Sequence, residues 1–164
     1  MRQTSKEYFR ATQILFFALI ASMLFFSGIT LVLILTGNIS SAEPELDNIF
    51  LVVVAVFVAG GFTASNMLFK KKLQEIKEMK TLLQKMPFYR GALILRYALI
   101  EGPAFLAITM SFVTGNLLFL AIAGLIIAYF LTLKPTPARA IKELELSYND
   151  QQLVENPKAI IADV

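Results

Sequence analysis

The chain contains long blocks of apolar residues that almost no charge interrupts. One block runs from 11 to 36, a second from 48 to 69, and a third from 91 to 113 is apolar except for Arg96 and Glu101. In a helix, about 20 apolar residues cross the hydrocarbon core of a bilayer, which is about 30 Å thick. Hydrophobic residues make up 57% of the chain and charged residues only 16%, which argues against an ordinary soluble domain.

A fourth apolar block, 117–133, is free of charge but lies near the lower length limit for a membrane span. Only residues 114–116 separate it from the third block, so these two blocks form a tight helical hairpin. We therefore predict an all-α membrane protein with four antiparallel transmembrane helices in a bundle. A cleaved signal peptide is the less favoured interpretation of 11–36, because that block is about twice as long as the apolar region of a signal peptide.

Lysine and arginine are distributed unevenly among the segments between the blocks. The N-terminal tail has three, the 70–90 segment seven and the C-terminal tail four, whereas the loops 37–47 and 114–116 have none. Basic segments stay on the cytoplasmic side of a membrane. We therefore expect both termini in the cytoplasm and a location in the cytoplasmic (inner) membrane.

These patterns predict nine consecutive segments. They are a cytoplasmic N-tail 1–10, span one 11–36, an external acidic loop 37–47, span two 48–69, a basic cytoplasmic helix and loop 70–90, span three 91–113, an external turn 114–116, span four 117–133 and a cytoplasmic C-tail 134–164. The acidic loop takes its name from residues such as Glu43 and Glu45.

The basic segment 70–90 places apolar side chains near one helical face, which predicts an amphipathic helix that ends at Pro87. We expect four of its basic residues to contact lipid headgroups. These are Lys70, Lys71, Lys72 and Arg90. A docking helix for a partner is the alternative, since amphipathic basic helices serve both uses. No nucleic-acid-binding module accompanies the lysines, so we expect no nucleic acid as a partner.

The C-terminal tail carries weak signals of local structure. Thr136 suits the N-cap of a helix and Pro137 its first position, which predicts a short helix over 138–146. A second short turn is expected near Asn149, but nothing in the tail indicates a folded domain. We expect the tail to be loosely ordered or held by a partner.

Small residues mark where helices approach each other in lipid, because apolar contact between helices adds little free energy of association there. The second block contains three small-xxx-small pairs, and the fourth block contains a small-residue stripe. The predicted helix-packing residues are Ala55, Ala59, Gly60, Gly61, Ala64, Ser65, Gly124 and Ala128. They indicate a compact four-helix bundle. The alternative role of these residues is contact between copies of the chain in a homo-oligomer or contact with other membrane subunits.

Glu101 is the residue that a membrane span tolerates least. It lies about 15 Å along the helix from the start of the third block, near the middle of the bilayer. An ionisable residue at that depth is a candidate functional site. Tyr97 lies one turn earlier and is expected to hydrogen-bond the carboxyl, whereas Arg96 can reach the cytoplasmic interface. Gly102 and Pro103 are expected to allow a kink or a close helix approach beside it.

The segment from Lys85 to Phe130 resembles the proteolipid (c) subunit of rotary ATP synthases. The resemblance rests on the loop at Met86-Pro87 and on ALIEGPAFLAI at 98–108. It implies a helical hairpin in which Glu101 is the ion-binding carboxyl. The second block, with only Gly60-Gly61, lacks the repeated glycines of that family. The whole chain is more similar to uncharacterised small four-span bacterial membrane proteins.

The residue inventory limits the functions that are open to the chain. It contains no His and no Cys, so we expect no enzyme activity, no cofactor and no metal site. The favoured function is an accessory or assembly subunit of a larger membrane complex, with membrane lipids and other subunits, or further copies of the chain, as partners. The alternative is a proton- or cation-handling protein (a channel, transporter or ring subunit) that uses Glu101.

Overall fold

The computed structural model describes residues 2–39 and 44–163, and the side chains of the second range from Asp47 onward. This part of the chain forms six helices and two short strands. They are β1 Arg2–Thr4, α1 Ser5–Leu35, α2 Pro44–Lys77, α3 Leu82–Thr114, α4 Leu117–Leu131, α5 Pro137–Leu144, α6 Tyr148–Glu155 and β2 Ile160–Asp163. The protein is therefore mainly helical, with a small sheet that the sequence analysis did not predict.

Three of these helices, α1, α2 and α3, are long and apolar enough to cross a membrane. Their length and composition indicate a membrane protein. The helix α4 is equally apolar but has 15 residues, about 22 Å at 1.5 Å per residue, and is shorter than a usual span. Part of the predicted acidic loop, including Glu43, lies outside the described residues, as does the side chain of Glu45.

The helix predicted to extend span two as far as Pro87 ends earlier, which corrects the prediction. Residues 70–77 are the last two turns of α2, and α3 begins at Leu82 after a break at 78–81. The amide groups of Gln84 and Lys85 both donate to the Thr81 carbonyl and start the new helix there. Pro87 is the sixth residue of α3, beyond the first turn, and the helix continues through it without the hydrogen bond that its missing amide N–H would donate.

The C-terminal tail is folded, which corrects the expectation of a loosely ordered segment. Thr136 caps α5 with Pro137 in its first turn, as predicted, whereas the second helix α6 is capped by Ser147. The strands β1 and β2 pair antiparallel, with an irregularity in the register between Gln3 and Thr4. The tail therefore pairs with the chain's own N-terminal residues, and contact with a partner stays a prediction.

The chain divides into two compact units. We call residues 2–17, 66–96 and 134–163 the polar unit, and residues 18–39, 44–65 and 97–133 the apolar unit. Each contains parts of several helices, since α1, α2 and α3 each contribute to both.

The polar unit has the core of a water-soluble domain. Tyr8, Tyr89, Ile76, Leu144 and Val154 are all at most 1% exposed. Polar groups inside it are hydrogen-bonded: the Tyr8 hydroxyl donates to the Met86 carbonyl at 2.6 Å. Large side chains from all three stretches of this unit thus share one core.

The apolar unit has a different distribution of side chains. Large apolar residues lie on its outside, such as Phe25 at 64%, Val52 at 63% and Leu125 at 73% exposure. Its core contains small residues such as Ala107 as well as large ones such as Phe130, both at 0%. Large apolar surfaces of this kind are stable against lipid and are rare on soluble monomers.

Candidate functional site

Two helices of the apolar unit, α2 and α3, approach closely at Gly61. A Cβ atom on Gly61 would lie 2.7 Å from the carbonyl oxygen of Leu99 and 2.6 Å from Cγ of Pro103. Pro103 has no amide N–H, so it leaves that Leu99 carbonyl without its helical donor. Because Gly61 has no side chain, α2 can come close to this freed oxygen.

This contact corrects the role predicted for Gly102. A Cβ on Gly102 would meet no atom within 4 Å, so the residue that permits close approach is Gly61 on the other helix. The helix α3 continues through Gly102 and Pro103 to Thr114.

A groove of about 730 Å³ lies next to the Gly61 contact, between α2 and α3 of the apolar unit. Its lining consists of Val56, Phe57, Gly60, Gly61, Ala64, Ala98, Leu99, Gly102, Pro103, Phe105, Leu106 and Thr109. Almost all of this surface is apolar, and three of the lining residues are glycines. The volume is within the range of binding sites for small molecules, about 300–1,000 Å³.

The predicted packing residues fall into three groups. Ser65 is buried, and Gly61 and Ala64 are partly buried. Gly60 is exposed and lines the groove with Gly61 and Ala64. The others lie exposed on the surface; these are Ala55, Ala59, Gly124 and Ala128.

The carboxyl of Glu101 is partly buried in the apolar unit and lies near the Ser22 side chain of α1, whose hydroxyl donates to the Leu19 carbonyl at 2.7 Å. The predicted bond from Tyr97 is absent because the Tyr97 hydroxyl donates its proton to the Leu133 carbonyl at 3.1 Å. Glu101 is not part of the groove lining. The sequence offered a weak signal for Ser22, as one of several small residues in the first block.

Arg96 belongs to the polar unit, where its side chain is only 10% exposed. Its guanidinium lies 4.4 Å from the ring centre of Phe69, 3.4 Å from the Asn66 side-chain oxygen and 3.7 Å from a Glu143 carboxylate oxygen. Groups of its own chain therefore surround the guanidinium, while its reach to the membrane interface stays a prediction.

Glu143 of α5 is the centre of this buried polar cluster. It accepts a hydrogen bond from the Tyr89 hydroxyl at 2.6 Å and another from Arg139 Nε at 2.8 Å. Burial, and then the negative charge of Glu143, raise the pKa of Tyr89 above its ordinary value. Sequence reasoning missed Glu143. The available signal was that Ala140 and Leu144, one turn apart, form a buried face on α5.

The residues predicted to contact headgroups differ in their surroundings. Lys70, Lys71 and Lys72 are all exposed. Arg90, in contrast, donates to the side chains of Thr12 and Gln3 at 3.1 and 2.8 Å. Its guanidinium also lies 4.2 Å from the Tyr8 ring centre. The geometry thus ties Arg90 to the N-terminal segment, while the three lysines face outward.

Comparisons of the chain with known protein families, with curated proteins and with solved structures find no match. Within 2–39 and 44–163, no three His, Cys, Asp or Glu side chains cluster as metal ligands would. The candidate sites are therefore the groove beside Gly61, the Glu101 carboxyl and the exposed lysines, each judged on its own chemistry.

Proposed function

We propose that the chain is a non-catalytic multi-pass membrane protein that serves as an accessory or assembly subunit of a larger membrane complex. In this proposal α1 to α4 are four spans of the cytoplasmic membrane, with both termini in the cytoplasm. The distribution of lysine and arginine supports that orientation. Thr132 and Leu133 add a tight turn to the end of α4 and lengthen its apolar stretch.

The groove beside Gly61 is the observation that carries the proposal. It is apolar, lies on the outside of the apolar unit and has three glycines in its lining. Transmembrane helices associate where small residues let two backbones come close, because lipid supplies no hydrophobic driving force between them. We therefore propose that a transmembrane helix of a partner subunit occupies the groove.

A pull-down in gentle detergent tests this proposal. Gly60→Leu and Gly102→Leu place a large side chain in the groove without a clash, because a Cβ at either position meets no atom within 4 Å. We expect both variants to lose a defined set of membrane partners that the wild-type protein retains. Gly124→Leu is the matched control, since Gly124 is equally open but lies outside the groove lining.

The same experiment has two outcomes that would contradict the proposal. One is that the wild-type protein purifies without a reproducible partner. The other is that the groove variants and the Gly124→Leu control retain the same partners. A lipid that co-purifies with the wild-type protein and is lost in the groove variants would identify the occupant as lipid instead of a helix.

The second candidate function, proton or cation handling, rests on the partly buried Glu101 with its Ser22 neighbour. Intramembrane carboxyl groups often mark ion pathways. Reconstituted protein would then carry a proton or sodium flux that Glu101→Gln abolishes. Because Glu101 lies outside the groove lining, this variant is expected to keep the partners in the pull-down if the subunit function is correct.

A further inference from the structure

A second, smaller groove lies within the polar unit, where α2 ends and α3 begins. Its volume is about 320 Å³, and it is lined by Lys72, Pro87, Phe88, Gly91, Ala92 and Leu95. Lys72 is the charged member of a lining that is otherwise apolar. The Phe88 side chain is 60% exposed and Leu95 is 38% exposed. The groove therefore combines a cationic end with an accessible apolar wall.

Two further lysines stand next to the cationic end. Lys70 and Lys71 precede Lys72, and all three are exposed. Lys72 forms an ion pair of 2.9 Å with Glu75 and lowers the pKa of that carboxyl. Within the described ranges, Lys70 and Lys71 form no ion pair. The group thus keeps a positive net charge that suits an anionic ligand.

The order of these residues along the chain matches the layers of a lipid leaflet. The lysines follow directly after the uncharged stretch 48–69, at the place where a span reaches the headgroups. Gly91 begins the next apolar stretch, and Ala92 and Leu95 continue it. A ligand that lies along the groove would therefore have its charge beside the lysines and an apolar chain against α3.

We propose that this groove binds an anionic phospholipid, whose phosphate contacts Lys70, Lys71 and Lys72 and whose acyl chain lies along Phe88, Ala92 and Leu95. Both the charge and the apolar wall favour this ligand over an acidic peptide, which would leave the wall uncovered. The inference rests on the membrane insertion of the long helices and is independent of the proposed partner subunit.

Native mass spectrometry of the full chain tests the lipid site, with phosphatidylglycerol and phosphatidylcholine supplied at equal concentration. Each lysine near an anionic lipid contributes about a fivefold preference. We expect the wild-type protein to retain phosphatidylglycerol at least about tenfold better than phosphatidylcholine. Replacement of Lys70, Lys71 and Lys72 together by Gln should reduce this ratio to near one.

A steric variant tests the apolar wall separately. A Cβ on Gly91 meets no atom within 4 Å, so Gly91→Leu should fill the groove while the fold is kept. We expect it to reduce retention of both lipids severalfold, with unchanged helical content in circular dichroism. Gly124→Leu is the control for Gly91→Leu. The charge-matched control for the lysine variant replaces three other lysines by Gln; these are Lys6, Lys142 and Lys158.

Any one of three results would overturn the lipid site. The first is a lysine variant that prefers phosphatidylglycerol as strongly as its charge-matched control. The second is a Gly91→Leu variant that retains both lipids as well as the Gly124→Leu control does. The third is an acidic peptide that displaces phosphatidylglycerol at equal concentration. An acidic peptide that competes only weakly would support phosphatidylglycerol as the ligand.

Discussion

The polar unit and the apolar unit have similar cores but different surfaces. Both bury aromatic residues: Tyr8 and Tyr89 in the polar unit and Tyr97 in the apolar unit are all 0% exposed, and their hydroxyl groups donate to partners inside the core. The apolar unit presents large apolar residues outward, such as Leu125 at 73% exposure, and such a surface is stable against lipid. The polar unit instead contains the ion pairs around Glu143.

This difference indicates which interactions should matter in each unit. A missing charge partner should be costly in the polar unit, because Arg96 and Glu143 are both shielded from water there. An added methyl group should be costly in the apolar unit, because Gly61 has no room for one. The predictions below test this contrast, in order of decreasing expected effect.

The largest effect is expected from Glu143→Gln in the polar unit. The substitution removes the negative charge that faces Arg139 at 2.8 Å and Arg96 at 3.7 Å. A buried cation without its partner destabilises a protein by about 3 kcal/mol or more. We expect a lower Tm in detergent and faster amide exchange across 137–163. Glu145→Gln is the control, since the Glu145 side chain is 73% exposed and its ion pair with Lys77 is worth little.

Equal stability of the Glu143 and Glu145 variants would show that the buried cluster does not hold α5. In that case the C-terminal segment would depend on its apolar contacts, on the β1–β2 pairing and on its hydrogen bonds to the N-terminal residues of α1.

The next effect is expected from Gly61→Val in the apolar unit. The new side chain would meet the Leu99 carbonyl oxygen and Pro103, at 2.7 and 2.6 Å from its Cβ. Overpacking of this kind costs about 1–3 kcal/mol. Thermal unfolding in detergent should show a lower Tm for Gly61→Val than for the neighbouring Gly60→Val, which points into open space. A Tm that is the same for both variants would refute the close contact.

An alkaline pH dependence is expected from Tyr89. Because its pKa is raised in the folded state, the unfolded chain loses this proton first, at its ordinary pKa near 10. Stability from Tyr89 is therefore complete below pH about 10 and falls above it, by about 1.4 kcal/mol per pH unit. Unfolding measured from pH 8 to 11 should show a steeper loss for the wild-type protein than for Tyr89→Phe. Parallel curves would contradict the burial of this hydroxyl.

The smallest effect is expected from the cap of α5. The Thr136 side chain accepts a hydrogen bond from the Arg139 amide at 3.2 Å. Loss of such a cap costs about 1 kcal/mol. Thr136→Ala should lower the Tm slightly and raise amide exchange in α5, whereas Thr136→Ser keeps the acceptor and should behave as the wild-type protein does.

The long helices could be predicted because bilayer thickness sets their length, and this signal lies in the sequence itself. The break at 78–81 could not be predicted, because Pro87 is the stronger local signal for the end of a helix. In the structure α3 begins before Pro87 and continues through it. The fold of the tail also escaped prediction. Its stability depends on Glu143 and on pairing with Arg2–Thr4, residues that are distant in sequence.

The candidate sites were predictable to a similar extent. The sequence identified Gly61 and Pro103 as packing and kink residues, but their mutual contact depends on the register between two helices. Helical spacing placed Tyr97 beside Glu101, yet the Tyr97 hydroxyl donates to Leu133 and the Ser22 side chain is the neighbour of Glu101. Contacts within one helix follow from sequence spacing, whereas contacts between helices do not.

Cysteine labelling in intact bacterial cells tests most directly whether the apolar unit lies in lipid with the 78–81 break and the C-terminal tail on the cytoplasmic side. The chain has no cysteine, so single variants give no background. With a membrane-impermeant maleimide, we expect Asn38→Cys to react in intact cells, Lys80→Cys and Lys158→Cys to react only after lysis, and Leu125→Cys to react in neither case. Reaction of Leu125→Cys after lysis, or of Lys80→Cys in intact cells, would contradict this placement.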